Sequence, residues 1–216
     1  MTAEMEVKTK FGIGGLICGA IVAMILGGFG IIAWVSTRSA EGVANLAPFS
    51  FFQLVCDAPP TLMLSVNRKA GGAQKDTARN IAATGQLVVH LVSPADLALM
   101  NATAGDYAPD VSEIDALQIA TVPAQMVKPP RLAHSLVSFE CECVSLSAYP
   151  AEAPACDLIL AKVLCLHIDD SLLNAEGRLR HDQIDWLGRL GGQWYCHTQH
   201  EDNLTLARPN QATPRR

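Results

Sequence analysis

Aromatic side chains make up only 6% of this chain and charged ones only 17%. The formal net charge is −5, and no Lys/Arg stripe is long enough to follow a phosphate backbone, which excludes a nucleic-acid partner. The one terminal basic pair, Arg215 and Arg216, follows Pro214 and reads as part of a tail over 210–216. A disulfide framework is also missing. The seven cysteines (Cys18, Cys56, Cys141, Cys143, Cys156, Cys165 and Cys196) are odd in number and irregularly spaced, which suits reduced thiols in a cytoplasm. No internal repeat is visible. Tetrahedral zinc spacings are absent, so Cys141-x-Cys143, Cys165-x-His167 and Cys196-His197 read as small buried residues and no metal is expected. Asp169-Asp170 follows a strand-like run and opens a turn or short helix; a hydrolytic carboxylate pair is not expected there.

What the chain does have is apolar bulk. Half of its residues are hydrophobic, enough for one sizeable core with an appendage. Residues 11–35 carry no charge and contain seven glycines, among them the pair Gly15 and Gly19 at GxxxG spacing. Three readings of the leader over 1–30 stand: a membrane helix over 11–30, a buried apolar leader, or a signal peptide with no clean cleavage site. A helix ending at Gly30 leaves almost no linker before the next strand, which begins at Ile31.

Beyond Thr37 the texture is that of short strands. Arg38 to Gly42 reads as a turn, 43–55 as a strand with an irregular middle around Pro48, 61–66 as a second compact strand, and 87–92 as a buried one. Residues 76–84 read as a helix with Asp76 as N-cap and Gly85 at its C-terminus. Ser93-Pro94-Ala95-Asp96 starts another helix, which runs to about Ala102. Residues 107–119 form a long acidic loop, and 136–147 and 157–168 are longer β runs. The last stretch, 185–197, holds Gly191-Gly192 and two of the three tryptophans. Many strands and few helices predict a mainly β domain, a β-barrel with peripheral helices.

Two segments carry chemistry. A glycine-containing loop leads to Lys75 and then to a helix start, where free N–H groups and the helix dipole favour an anion. Thr77 adds a hydroxyl on the first turn, and Asn80 lies one turn on, so the three residues could hold a phosphate monoester or simply cap the helix. The second segment is Asn45-Leu-Ala47-Pro-Phe-Ser50-Phe51-Phe52. Its small residues beside Pro48 allow close approach to the backbone, Asn45 and Ser50 offer hydrogen bonds, and a kinked core strand is the plainer reading.

The run from Ala33-Trp-Val-Ser36-Thr37 through Gly42-Val-Ala-Asn45 to Pro48-Phe-Ser50-Phe51-Phe52 resembles the flavin reductase-like FMN-binding proteins. Pro59-Pro60, Lys75-Asp-Thr77, Asn80-Ile81, Thr84-Gly85, Met100-Asn-Ala-Thr103, His167 to Leu173 and Arg189-Leu-Gly-Gly192-x-Trp194-Tyr195 follow at the family's distances. The resemblance covers a domain over 31–209. It implies a Greek-key split β-barrel that binds FMN as a homodimer. It also implies that Ser36, Thr37 and the segment with Asn45, Ala47, Ser50 and Phe51 line the flavin, and that Lys75, Thr77 and Asn80 hold its phosphate. Where the family usually has Pro-Arg-Pro, this chain has Phe29-Gly30-Ile31-Ile32.

In such a protein the nicotinamide C4 of NAD(P)H delivers hydride to flavin N5, and the cofactors carry the chemistry. Binding residues are therefore expected and no catalytic acid or base is named. Tyr195 is placed either against the nicotinamide or in the barrel core. The leading expectation is an NAD(P)H-dependent FMN reductase, with a flavin-dependent monooxygenase as a receiver of reduced flavin. The alternative is an FMN-binding electron-transfer or flavin-holding protein without nicotinamide turnover. Membrane contact through 11–30 and a cytoplasmic location complete the expectations.

Overall fold

The computed structural model describes residues 6–8, 15–16, 30–199, 201, 204 and 206. Most of the leader expectation over 11–30, and the tail over 210–216, lie outside the described residues. Within the leader, Gly15–Leu16 (β2) is a short strand on β1 (Glu6–Lys8), which runs parallel to a later strand of the main sheet. Among the described residues no helix is long and apolar enough to cross a membrane.

The remaining strands are β3 (Ala33–Arg38), β4 (Ala44–Phe49), β5 (Phe52–Asp57), β6 (Pro60–Asn67), β7 (Gln86–Leu91), β8 (Thr121–Val122), β9 (Arg131–Leu132), β10 (Val137–Tyr149), β11 (Cys156–Ile168), β12 (Leu187–Gly191) and β13 (Trp194–His197). The helices are α1 (Asp76–Thr84), α2 (Leu97–Ala102) and α3 (Glu113–Ala116). Antiparallel pairing runs β6–β11–β10–β7–β3–β4, with β5 on the other edge of β6. The chain bends at Ser50–Phe51 between β4 and β5, and Ser65 N–H donates to the Phe51 carbonyl at 2.9 Å. This bent ribbon closes the sheet into a barrel. The long strands β10 and β11 extend beyond it, so β11 pairs with β6 along its first half and with β1 along its second.

Strand β3 is buried on both faces from Ala33 to Thr37, so its apolar start, Ala33 to Val35, shows no polar alternation. Ala33 and Val35 point into the barrel with Leu64, Val89, Phe139 and Ile159. Ile32 and Trp34 point outward into a second core with Leu46, Val92, Met100 and Leu132, under α2 and α3.

Several expectations shift by identifiable causes. The irregularity expected around Pro48 falls at Ser50–Phe51. Pro48 stays in β4 because this is an edge strand, and the missing N–H faces outward, on the same side as the Leu46 N–H. Strand β3 starts at Ala33, while Ile31 makes only an isolated bridge with Gly188. Helix α1 has the expected span, but Lys75 is its N-cap residue; Asp76 is already helical and takes Lys69 and Arg79 as ion-pair partners. Gly85 ends α1 with φ 69° and donates its N–H to the Ile81 carbonyl. The acidic loop contains α3, capped by Ser112 accepting from Asp115 N–H. Asp169 does open a short helical turn, accepting from Ser171 N–H.

His90 on β7 ties β9 to β3. It is fully buried, with Nδ1 2.9 Å from the Trp34 carbonyl and Nε2 accepting from Leu132 N–H at 3.0 Å. This pair of bonds requires the neutral tautomer with its proton on Nδ1. Burial lowers the His90 pKa from 6.5 to about 3. The unfolded chain then takes up a proton on this residue below pH 6.5 and the folded chain does not, so His90 removes stability as pH falls, by about 1.4 kcal/mol per pH unit. Urea midpoints should decline from pH 7 to pH 5 while the His90 imidazole stays neutral by NMR. A His90 that protonates near pH 6 in the folded protein would contradict this.

Candidate functional site

Four buried polar residues set the position of α1. Thr37 on β3 and Asn45 on β4 are cross-strand partners, and Thr77 and Asn80 lie one turn apart on α1. Asn45 Nδ2 donates to Thr77 Oγ1 at 3.0 Å, and Asn80 Nδ2 donates to Thr37 Oγ1 at 3.1 Å. Strand amide meets helix hydroxyl and helix amide meets strand hydroxyl, so the helix is held at two points against the sheet. Thr37 and Asn80 serve this tie from behind. They line neither of the two pockets described next, and neither does Ser36, whose hydroxyl donates to the Pro130 carbonyl at 2.6 Å.

In front of the tie lies a pocket of about 160 Å³ between the outer edge of β4, the start of α1 and the 103–107 turn. Asn45, Ala47, Lys75 and Thr77 line it. Thr77 Oγ1 accepts from Asn45, which leaves its own proton to donate into the pocket. Lys75 Nζ lies 5.9 Å from the Phe49 ring centre and has no carboxylate partner among the described residues. The N-cap position makes no side-chain hydrogen bond to the first turn, so that turn keeps its N–H groups available. The loop carrying Lys69 to Lys75 is itself anchored: Arg68 and Gln74 both bind the buried Asp157 carboxylate on β11, at 2.7 and 3.0 Å.

Glu113, absent from the sequence-based candidates, borders the same pocket. Its carboxylate accepts the outward N–H of Leu46 at 2.9 Å. Burial pushes the Glu113 carboxyl above the usual range, and the nearby Asp76 charge adds to this.

A second pocket of about 110 Å³ shares Pro48, Phe49 and Ala104 with the first, so the two form one trough. Ser50 and Tyr195 line this end, with Met100 as an apolar wall. Tyr195 OH donates to Asn101 Oδ1 at 3.3 Å. Phe51 lines neither pocket; it sits at the bend with 59% of its surface exposed.

The cysteine–histidine pairs sort differently. Cys165 and His167 on β11 meet Glu140 on β10, with ligand atoms within 4.8 Å of one another. Glu140 accepts from His167 Nε2 at 2.6 Å and from the N–H groups of Gln125 and Met126, and Arg131 Nε lies 3.7 Å away. Burial opposes ionisation of Glu140, but these hydrogen bonds outweigh it and hold the carboxyl below its usual range. The lone pairs are thus engaged and the charge balanced within the chain. The cluster ties the segment before β9 to β10 and β11. None of the six described cysteines forms a disulfide.

Residues 30–183 match the family described as the flavin reductase like domain. This chain belongs to that family. The match spans the barrel, α1 and the first pocket, so the fold is the split barrel with peripheral helices. The flavin reductase-like chain is 36% identical to the uncharacterised YwrF of Bacillus subtilis (strain 168) over 83% of its length and 87% of the relative's. Among solved structures it is similar to nitrilotriacetate monooxygenase component B from Bacillus cereus, at 30% identity and TM-score 0.73, covering 81% of this chain and 87% of that one. The 2-nitrobenzoate 2-nitroreductase NbaA of Pseudomonas fluorescens shares the fold at TM-score 0.73 and 24% identity, covering 90% of this chain and 92% of that one.

Both family motifs around Lys75 and Asn45 therefore open onto one trough in this flavin reductase-like domain. Glu113 and Arg189 also border the trough; no local spacing marks Glu113 in the acidic loop, and Arg189 opens the motif that ends at Tyr195 without standing out as a site residue. The four-residue tie is open to a double-mutant cycle. Thr37→Val and Asn80→Leu should each lower the unfolding free energy by about 2 kcal/mol, since each strands a buried polar partner. The double variant should lose about 1 kcal/mol less than the sum, read from urea denaturation. Strict additivity would show that the Thr37–Asn80 bond contributes nothing.

Proposed function

We propose that this protein is an NAD(P)H-dependent flavin reductase that binds FMN along the trough. The observation that carries the reading is the start of α1, where Lys75 and the Thr77 hydroxyl stand beside unbonded helix N–H groups at one end of the trough. That donor set fits a phosphate dianion. Asn45 orients Thr77 toward it, and Ala47 and Ser50 leave room for a planar ring along the outer edge of β4. Phe49 and Met100 keep water from one face. When bound, the flavin supplies the ring that accepts hydride from the nicotinamide of NAD(P)H. The chain's own part is to bind, align and desolvate, because the reaction needs two rings stacked close together and no protein acid or base.

Family membership supports a flavin-related oxidoreductase, and the similarity to a monooxygenase component supports delivery of reduced flavin to a partner monooxygenase. The homodimer expected of the family belongs to the same proposal. Large apolar side chains at Val55, Val144 and Tyr149 are more than half exposed and would be covered by a second copy.

The test is the absorbance spectrum of the purified protein with FMN, taken without oxygen before and after NADH or NADPH. Bleaching of the oxidised-flavin bands at a rate far above that of FMN free in solution is expected. Tight FMN binding with no bleaching by either dinucleotide would overturn the reductase reading in favour of a flavin-holding or electron-transfer protein.

A further inference from the structure

Arg189, on β12, is the cation that lines the second pocket. Its guanidinium lies 4.6 Å from the centre of the Tyr195 ring, donates from Nη1 to Tyr195 OH at 2.6 Å and from Nη2 to the Gly192 carbonyl. Tyr195 is fixed in turn by Asn101 on α2. The side chain is thus held by stacking and two hydrogen bonds, although it stands at the surface. No carboxylate among the described residues pairs with it. Two of its five N–H donors are engaged and the others remain for a ligand.

A fixed, unneutralised guanidinium at the end of the trough is arranged to receive an anion whose attached ring reaches over the flavin site. Its fork geometry suits phosphate oxygens better than a lysine point charge would. The flavin phosphate already has Lys75 and Thr77 at the far end of the trough, so Arg189 serves a different anion. Exposed Leu190 and Trp194 flank it on the same hairpin and offer apolar surface for the remainder of a large ligand.

We propose that Arg189 is the anion anchor for the reductant, gripping the phosphates of NAD(P)H while the nicotinamide stacks on the open face of the flavin ring at this end of the trough. This rests on the reductase reading above. Tyr195 is then a positioning residue that aims the guanidinium.

The FMN-loaded protein tests it in two ways. Calorimetric binding of NAD⁺ and NADP⁺, which need no turnover, should weaken about tenfold or more in Arg189→Gln and recover partly in Arg189→Lys. The ratio of kcat/KM for the better dinucleotide to that for 1-benzyl-1,4-dihydronicotinamide, a donor without phosphates, should fall by a similar factor in Arg189→Gln. If both donors fall together, Arg189 only supports the hairpin or the flavin, and the anchor is overturned. Turnover in the wild type with unmoved dinucleotide affinity and an unmoved ratio overturns the anchor alone. A wild type that oxidises neither NADH nor NADPH overturns the reductase reading and the anchor with it.

Discussion

The reciprocal hydrogen bonds between Thr37, Asn45, Thr77 and Asn80 are the constraint on which the site depends. Thr37 and Asn45 face each other across β3 and β4, so their separation is fixed by the ladder. Thr77 and Asn80 are separated by one helical turn, so theirs is fixed by helix geometry. Joining two rigid spacings by two bonds leaves α1 little freedom to slide or rotate. Its open N-terminus is thereby held at the outer edge of β4. Had the helix been docked by apolar contacts alone, Ala78 and Ile81 would still bury well in a neighbouring register, because dispersion and the hydrophobic effect carry no direction. The polar tie chooses the register.

The second consequence of the fold is that β4 has an outer edge at all. The barrel closes through the β4–β5 bend, and β4 pairs on one side only. An exposed edge invites pairing with another chain. Here Glu113 takes the Leu46 N–H, Pro48 has no N–H to offer, and the trough occupies the rest. The same edge that is made unfit for strand pairing becomes one wall of the site. Small residues at Ala47 and Ser50 then follow from the need to let a ligand approach the backbone.

Much of this was legible in the residues, because it is local. The span of α1, its glycine terminus and the nearness of Lys75 and Thr77 to its N-terminus follow from spacing. Tyr195, expected either against the nicotinamide or in the barrel core, lines the second pocket. What the residues alone do not show are contacts distant in sequence. Asn80 sits at the right spacing to join Thr77 at an anion, but its partner is Thr37, 43 residues away. Ser36 looks accessible beside Thr37, yet its hydroxyl is taken by a carbonyl 94 residues on. Glu113 reaches Leu46 across 67 residues. Nothing local to 107–119 distinguishes the carboxylate that caps an edge strand from its solvated neighbours. Phe51 was placed with the apolar wall because it lies in an apolar run, whereas the bend turns it outward.

The central claim is that the first turn of α1 is built for a phosphate at one end of a flavin trough. It is tested most directly by the ratio of riboflavin to FMN dissociation constants, since the two ligands differ only in that phosphate. The wild type should favour FMN by about a hundredfold or more, and Lys75→Ala should cut the preference about tenfold by removing a charged donor while leaving riboflavin binding nearly unchanged. Equal affinity for the two flavins in the wild type, or a preference that Lys75→Ala leaves intact, would contradict the account.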